Sequence, residues 1–281
     1  MEGNEACTRL ASASVATEPH TLTVLVNVHL LEQGDLRRSR PRGVLQNERH
    51  ALRIARLAAA SGITRMVQIS AIGADAEAAS DYVRTKAEGE AAVLEHFPGA
   101  VILRPSIIFG PKDGFFNRFA GMTRMGPALP LVGAETRFQP VYVDDVAQAA
   151  VKAITGEAAS GTYELGGPDV ATFRELMQEM LKVIHRRRLL LGLPFWVARI
   201  MGGVLDLVQA ATFGLVTNSM LTRDQVRNLK NDNVVSADAK GFADLGIVPT
   251  AMESVLPQYL WRFRPSGQYD AIKDSARNLR A

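Results

Sequence analysis

The segment Arg65 to Lys86 reads RMVQISAIGADAEAASDYVRTK. Its first six residues, Arg65 to Ser70, have the apolar character of a strand, a short loop follows, and a helix is expected from about Asp81 to Glu95. Upstream, Val24 to Val28 form a short, nearly continuous apolar run, the pattern of a parallel strand covered on both faces. From Val44 to Ala60, Leu45, Leu52, Ile54, Ala55, Leu57 and Ala58 recur at helical spacing, and Gly62 is placed to stop that helix. Downstream, Ala100 to Arg104 reads as another strand, ending in Arg104-Pro105-Ser106. Strand, helix, strand, helix, strand predicts a right-handed parallel α/β sheet. Beyond Gly110 the pattern changes to loops and helices punctuated by Pro111, Pro127, Pro130 and Pro140, which suggests a second lobe.

Three residues of the opening stretch can carry chemistry. Ser70 ends the predicted strand, and Tyr82 and Lys86 lie four residues apart on the predicted helix, so the phenol and the ammonium share one helix face. A tyrosine near its ordinary pKa of about 10 is a poor base at neutral pH, and a neighbouring cation favours its phenolate. Tyr82 is therefore expected to exchange a proton with a carbonyl or alcohol, with Ser70 hydrogen-bonding the same oxygen and Lys86 as electrostatic partner. Alone, a Tyr-x-x-x-Lys pattern is weak, because a solvent-exposed helix produces it by chance. Its position between a strand end and the Arg104-Pro105-Ser106 turn gives it meaning.

Composition excludes several other classes. Thirty-two Lys and Arg against 29 Asp and Glu leave a net charge of +3 without a basic block, which gives no support to a nucleic-acid partner. One cysteine, Cys7, rules out an intrachain disulfide and a cysteine-built metal site and fits a reducing compartment. The five histidines show no ligand spacing, so no metal is expected. The apolar stretch Leu189 to Leu215 is interrupted by Pro194, Arg199 and Asp206 and does not read as a membrane span. His185-Arg186-Arg187-Arg188 precedes Leu189 to Phe195 as a basic collar, suited either to an anionic membrane surface or to a solvated helix end followed by core. Three capping boxes are expected, at Thr172 with Glu175, Thr222 with Gln225 and Thr250 with Glu253, and one of Asp144 and Asp145 is expected to cap the helix that follows.

The segments MVQISAIGAD, SDYVRTKAEGE, VILRPSIIFGP, PVYVDDVAQA and YELGGP together resemble the extended and atypical short-chain dehydrogenase/reductase family over roughly Val24 to Arg264. RPSIIFGPKDGFFNRFA, RFQPVYVDDVA and LPQYLWRFRPSGQYD carry a closer likeness, to the reductase-like accessory subunits of respiratory complex I and their bacterial relatives. The resemblance implies an incomplete Rossmann-like, doubly wound parallel sheet with a smaller C-terminal α+β lobe. It implies a catalytic trio of Ser70, Tyr82 and Lys86, and an NADP or NAD contact formed by Asn27, Tyr82, Lys86, Pro105, Ser106, Ile107 and Ile108. It further implies complex I subunits as partners. The corresponding location is cytoplasmic and peripheral to the bacterial inner membrane, or the matrix side in a mitochondrion. Eukaryotic proteins of this kind hold NADPH as a structural component.

The chain departs from that family at its start. The early glycines are Gly3, Gly34, Gly43 and Gly62, so no glycine-rich turn exists to bring the backbone to a pyrophosphate, which weighs against cofactor retention. Roughly three strands of the expected sheet are missing, and His29 replaces a glycine expected after Val28. The run at Val24 should then present an open apolar edge. Either the stretch before about Thr23, with or without the Arg-rich loop Asp35 to Gly43, comes from a shifted reading frame or misplaced start, or the chain is naturally short and a partner covers the edge. The expected organisation is a disordered or non-native lead-in over 1–22, a partial nucleotide-binding domain over 23–165, and a smaller interleaved lobe over 166–281. Two functions follow: a complex I accessory subunit or assembly factor that binds NAD(P) with little or no turnover, and an active NAD(P)-dependent reductase or epimerase.

Overall fold

The computed structural model describes residues 15–18, 21–27, 42–197, 200 and 227–269, with side chains from Ala51 onward. The Thr222 and Gln225 box, Val28, His29, the stretch 201–215 and residues 35–41 of the Arg-rich segment Asp35 to Gly43 lie outside the described residues, while Arg42 and Gly43, expected as loop, are already helical. Strands β1 (Val15–Glu18) and β2 (Thr21–Asn27) pair antiparallel. Helix α1 (Arg42–Ala60), strand β3 (Arg65–Ile69), helix α2 (Asp81–His96) and strand β4 (Val101–Pro105) follow. The chain then runs through β5 (Ile108–Phe109), α3 (Phe116–Met122), β6 (Ala128–Val132), β7 (Arg137–Phe138) and β8 (Val141–Tyr142). Next come α4 (Val143–Thr155) and β9 (Gly161–Leu165), and after them β10 (Ala171–Thr172), α5 (Phe173–Val183), β11 (Leu189–Leu193) and α6 (Met252–Leu260).

The main sheet has the order β1-β2-β3-β4-β9, in which β2, β3, β4 and β9 are mutually parallel. Alternate residues of the inner strands enter two separate cores. Met66 and Ile102 pack with Ala55, Ala58 and Val93 of α1 and α2, whereas Val67, Val101 and Leu103 pack with Val146 and Ala149 of α4. Burial on both faces explains why these strands read as apolar runs without polar alternation. Helix α1 ends at Gly62, whose φ of 71° is left-handed, and the Ile63 N–H reaches back to the Ala58 carbonyl at 3.1 Å, the closing bond of a Schellman turn.

β1 differs from the expectation for this region. The strand lies within the segment read as a lead-in, and it covers the edge of β2 that the sequence left open. The unpaired N–H and C=O groups of β2 account for this, since an apolar edge pairs with whatever strand can reach it, and a two-residue connection suits an antiparallel return.

A third core fills the smaller lobe and draws on two distant stretches. Phe109, Phe116, Leu131 and Phe138 pack against Phe173, Met177 and Met180 of α5 and Leu256 of α6. Phe115, Phe119 and Phe173 form a mutual aromatic cluster with ring centroids 5.2 to 5.6 Å apart. In return, Phe242, Leu245 and Ile247 pack into the α4 face of the main sheet. The two cores therefore interleave along the chain.

Two capping expectations need correction. Thr172 and Glu175 form the expected box, with the Glu175 N–H donating to the Thr172 hydroxyl and the Thr172 N–H to the Glu175 carboxylate. The cap of α4, however, is Tyr142, and neither Asp144 nor Asp145 takes that role. Asp145 is 2% exposed, and its carboxylate accepts the Thr250 N–H at 2.6 Å and the Thr250 hydroxyl at 3.0 Å. Thr250 is thereby engaged away from the first turn of α6, whose cap position is Ala251. A buried carboxylate demands donors, and the nearest hydroxyl and amide supply them.

Candidate functional site

The carboxyl ends of β2, β3 and β4 are in register at one edge of the main sheet: Asn27 lies beside Ile69, and Ile69 beside Leu103. In parallel α/β sheets this end is where ligands bind. The loop after β3 is fastened to β4, the Ser70 N–H donating to the Leu103 carbonyl at 2.7 Å and the Ile72 N–H to the Pro105 carbonyl at 3.1 Å. Ser70 is thus brought beside the Pro105 turn. Its side chain is buried, and its hydroxyl oxygen has no hydrogen-bond partner, nor does the buried Gln68 side-chain oxygen. An unsatisfied buried hydroxyl at a strand end is the kind of group a ligand completes.

Helix α2 supplies the other members. Lys86 is 6% exposed, and its amine donates to the carbonyl of Ile69 at 3.5 Å, one residue before Ser70. Tyr82 stands one turn earlier on the same helix face and is half-buried. Burial acts on the two groups in opposite senses. It pushes the Tyr82 phenol up to about 12, and it lowers the Lys86 amine to about 8 against the opposing charge of Glu90. Desolvation of the phenolate thus acts against the expected shift of Tyr82 toward its ionised form.

The Pro105 turn is tightly held. Ser106 donates its N–H to the Leu165 carbonyl at 2.9 Å, and the Val141 N–H donates to the Ile107 carbonyl at 2.9 Å. The Ser106 hydroxyl is committed to Asn233, at 2.6 Å from the side-chain oxygen and 3.1 Å from the carbonyl. Of the expected contacts, the Ser106 side chain is thus occupied elsewhere, while Ile108 is partly exposed at 36%. The sequence reading missed Glu90, Arg104, Glu164 and Asn233. Glu90 follows Lys86 by four residues, a spacing visible in the sequence, but its partner Arg104 is set by strand pairing. Among the described residues no cluster of histidine, cysteine or carboxylate side chains could hold a metal ion.

What the residues present fit is the nicotinamide and ribose end of a dinucleotide, through an unsatisfied Ser70 hydroxyl and a buried amine beside a strand end. They offer no glycine-rich cradle for its pyrophosphate.

Comparisons with known proteins agree with this architecture. The model of the RmlD substrate binding domain matches residues 74–195. A mitochondrial NADH dehydrogenase (ubiquinone) 1 alpha subcomplex subunit 9 from Arabidopsis thaliana is 38% identical over 73% of this chain and 52% of its own length. The mouse protein of the same name is 34% identical over 75% of this chain and 55% of its own. The Neurospora crassa NADH-ubiquinone oxidoreductase 40 kDa subunit is 30% identical over 78% of this chain and 56% of its own. The chain spans about half the length of these curated relatives. Among solved structures, a human epimerase family protein with NADPH superposes with a TM-score of 0.62 at 16% identity, covering 90% of this chain and 85% of that one. A Bordetella bronchiseptica enzyme in complex with NAD gives 0.57 at 12%, covering 89% and 72%. At such identities these two establish the fold alone.

Proposed function

The chain is of the atypical, extended short-chain dehydrogenase/reductase type and is related in sequence to the alpha subcomplex subunit 9 proteins of NADH dehydrogenase; from this we propose that it is an NAD(P)-binding, reductase-like accessory subunit or assembly factor of respiratory complex I with little or no turnover. The observation that carries the proposal is 38% identity to the plant subunit across 210 residues. Ser70, Lys86 and the Pro105 to Ile108 backbone would hold the nicotinamide end, with Asn27 at the neighbouring strand end. A bound dinucleotide supplies hydride chemistry. The chain's own residues orient and enclose it: Lys86 points its amine at the strand ends, and Ser70 offers a hydroxyl with free hydrogen-bonding capacity. With its phenol pushed up to about 12, Tyr82 remains protonated at neutral pH and serves as a hydrogen-bond donor, which favours holding a ligand over proton exchange.

Contact with an anionic membrane surface accompanies this role. Leu189, 63% exposed, shares a groove with the exposed cations Lys182 and Arg187, and Trp196 is 65% exposed. Among the described residues no helix is long and apolar enough to cross a membrane.

The intact Ser70, Tyr82 and Lys86 trio favours a second reading, an active NAD(P)-dependent reductase or epimerase. NADPH fluorescence titration and co-purification with complex I decide between them. Binding and co-purification without turnover are expected, and a protein that does neither is not an accessory subunit of this kind. Turnover that Tyr82→Phe abolishes would establish the enzyme instead. For the surface contact, co-sedimentation with phosphatidylglycerol vesicles should fall on Lys182→Glu with Arg187→Glu; equal sedimentation of parent and variant refutes it.

A further inference from the structure

Behind Lys86 lies a chain of buried charges that the functional reading does not use. Glu90 follows Lys86 by one helical turn, and its side chain is 7% exposed. Arg104 of β4 grips its carboxylate with two hydrogen bonds, Nε to Oε1 at 2.9 Å and Nη2 to Oε2 at 2.6 Å. The far side of the same guanidinium faces Glu164 of β9, Nη1 to Oε1 at 3.7 Å, and Glu164 Oε2 accepts the Ser236 N–H at 2.8 Å. A forked guanidinium fixes the plane of a carboxylate as well as its charge. Glu90 therefore stands immobilised beside the turn of α2 that carries Lys86. Among the described residues Tyr82 and Glu90 stand one turn from Lys86 on α2, with Arg104 and Glu164 behind Glu90. Strand β3 presents the Gln68 amide, the Ile69 carbonyl and the Ser70 hydroxyl.

We propose that Glu90, held by Arg104, is a positioning residue for Lys86: it keeps the buried amine charged and directed at the end of β3, where it meets the ribose hydroxyls of a dinucleotide. This rests on the cofactor site proposed above. A buried amine loses its proton readily, and a neutral amine is a weaker donor to a ribose diol. Glu90 opposes that loss, and Arg104 prevents the carboxylate from swinging closer.

The signs of the effect separate positioning from mere packing. Glu90→Gln retains size and hydrogen bonding but removes the charge, so the Lys86 midpoint should fall by about 1 pH unit. Arg104→Gln removes the competing cation and frees Glu90 to act on Lys86, so the midpoint should rise. Both are read by NMR of lysine-labelled protein without nucleotide, the Lys86 signal being assigned by its loss in Lys86→Met, with circular dichroism checking the fold. Shifts of opposite sign support the proposal. Midpoints that stay put, or move the same way in both variants, overturn it. Should Glu90→Gln not fold, Arg104→Gln decides alone, an unmoved or lowered midpoint being fatal. NADPH affinity followed from about pH 6 to about pH 9 then tests the link to the site. If the parent binds NADPH and the pH midpoint of binding ignores Glu90→Gln, the positioning role is wrong. If Lys86 shifts as expected and the parent binds no NADPH, the cofactor reading fails while the effect of Glu90 on Lys86 stands.

Discussion

Burying Lys86 and half-burying Tyr82 carry costs that depend on pH, and the two dependences run in opposite directions. The Lys86 amine is lowered from 10.5 to about 8, so folding disfavours its charged form relative to the unfolded chain while leaving it mostly protonated at neutral pH. Its contribution to stability is present above the unfolded value and is lost as pH falls through about 8. Lys86→Met should therefore stabilise the protein at neutral pH by up to roughly 3 kcal/mol, with the gain fading toward the unfolded pKa. Urea unfolding at about pH 7 and about pH 10 checks this, and a neutral-pH loss would mean that Glu90 fully compensates the buried ammonium. Tyr82, raised from 10.0 to about 12, contributes stability below the unfolded value that disappears as pH rises through about 12. Tyr82→Phe should accordingly move alkaline unfolding to higher pH. At this scale the placement of Ser70 at a strand end and of Tyr82 and Lys86 on one helix was legible, because a strand end and a four-residue helical spacing are local features. The sequence concealed Arg104 as the partner of Glu90, since the two lie 14 positions apart and on different elements, a helix and a strand.

Elements show the same division between local and non-local causes. The apolar runs of β3 and β4 and the helical spacing of α1 were legible because burial on two faces and on one helix face leave different periodicities. The box at Thr172 was legible because both of its bonds lie within one turn. Asp145 and Thr250 looked like caps by the same criterion, yet they bind each other across 105 residues and join the first turn of α4 to the approach to α6. Their consequences should differ accordingly. Thr172→Ala is expected to cost about 1 kcal/mol, the ordinary loss of a cap. Asp145→Ala should cost roughly 2–3 kcal/mol, because it strands the half-buried amide and hydroxyl of Thr250. Denaturant titration of the two variants compares them directly, and a smaller loss for Asp145→Ala would place Thr250 in contact with water.

The whole molecule is tied together by a strap that no periodicity announced. The segment Asp232 to Ser236 runs across the smaller lobe and the sheet end. Asp232 pairs with Arg137 at 2.9 Å, Asn233 takes the Ser106 hydroxyl and the Gln139 N–H, and the Val235 N–H donates to the Gln139 side chain. Further on, Glu164 receives the Ser236 N–H and passes an N–H of its own to the Lys240 carbonyl. Fold class was readable without any of this, since it depends on the order of strands and helices; the path of the strap depends on distant side chains and was not. These bonds and the burial of Phe242, Leu245 and Ile247 hold the C-terminal portion without help from the peptide links before Arg227. A protease site inserted between residues 201 and 226, once cleaved, should leave two fragments that elute together from a sizing column and part only in urea. Their separate elution would show that covalent continuity, and not the strap, keeps the halves joined.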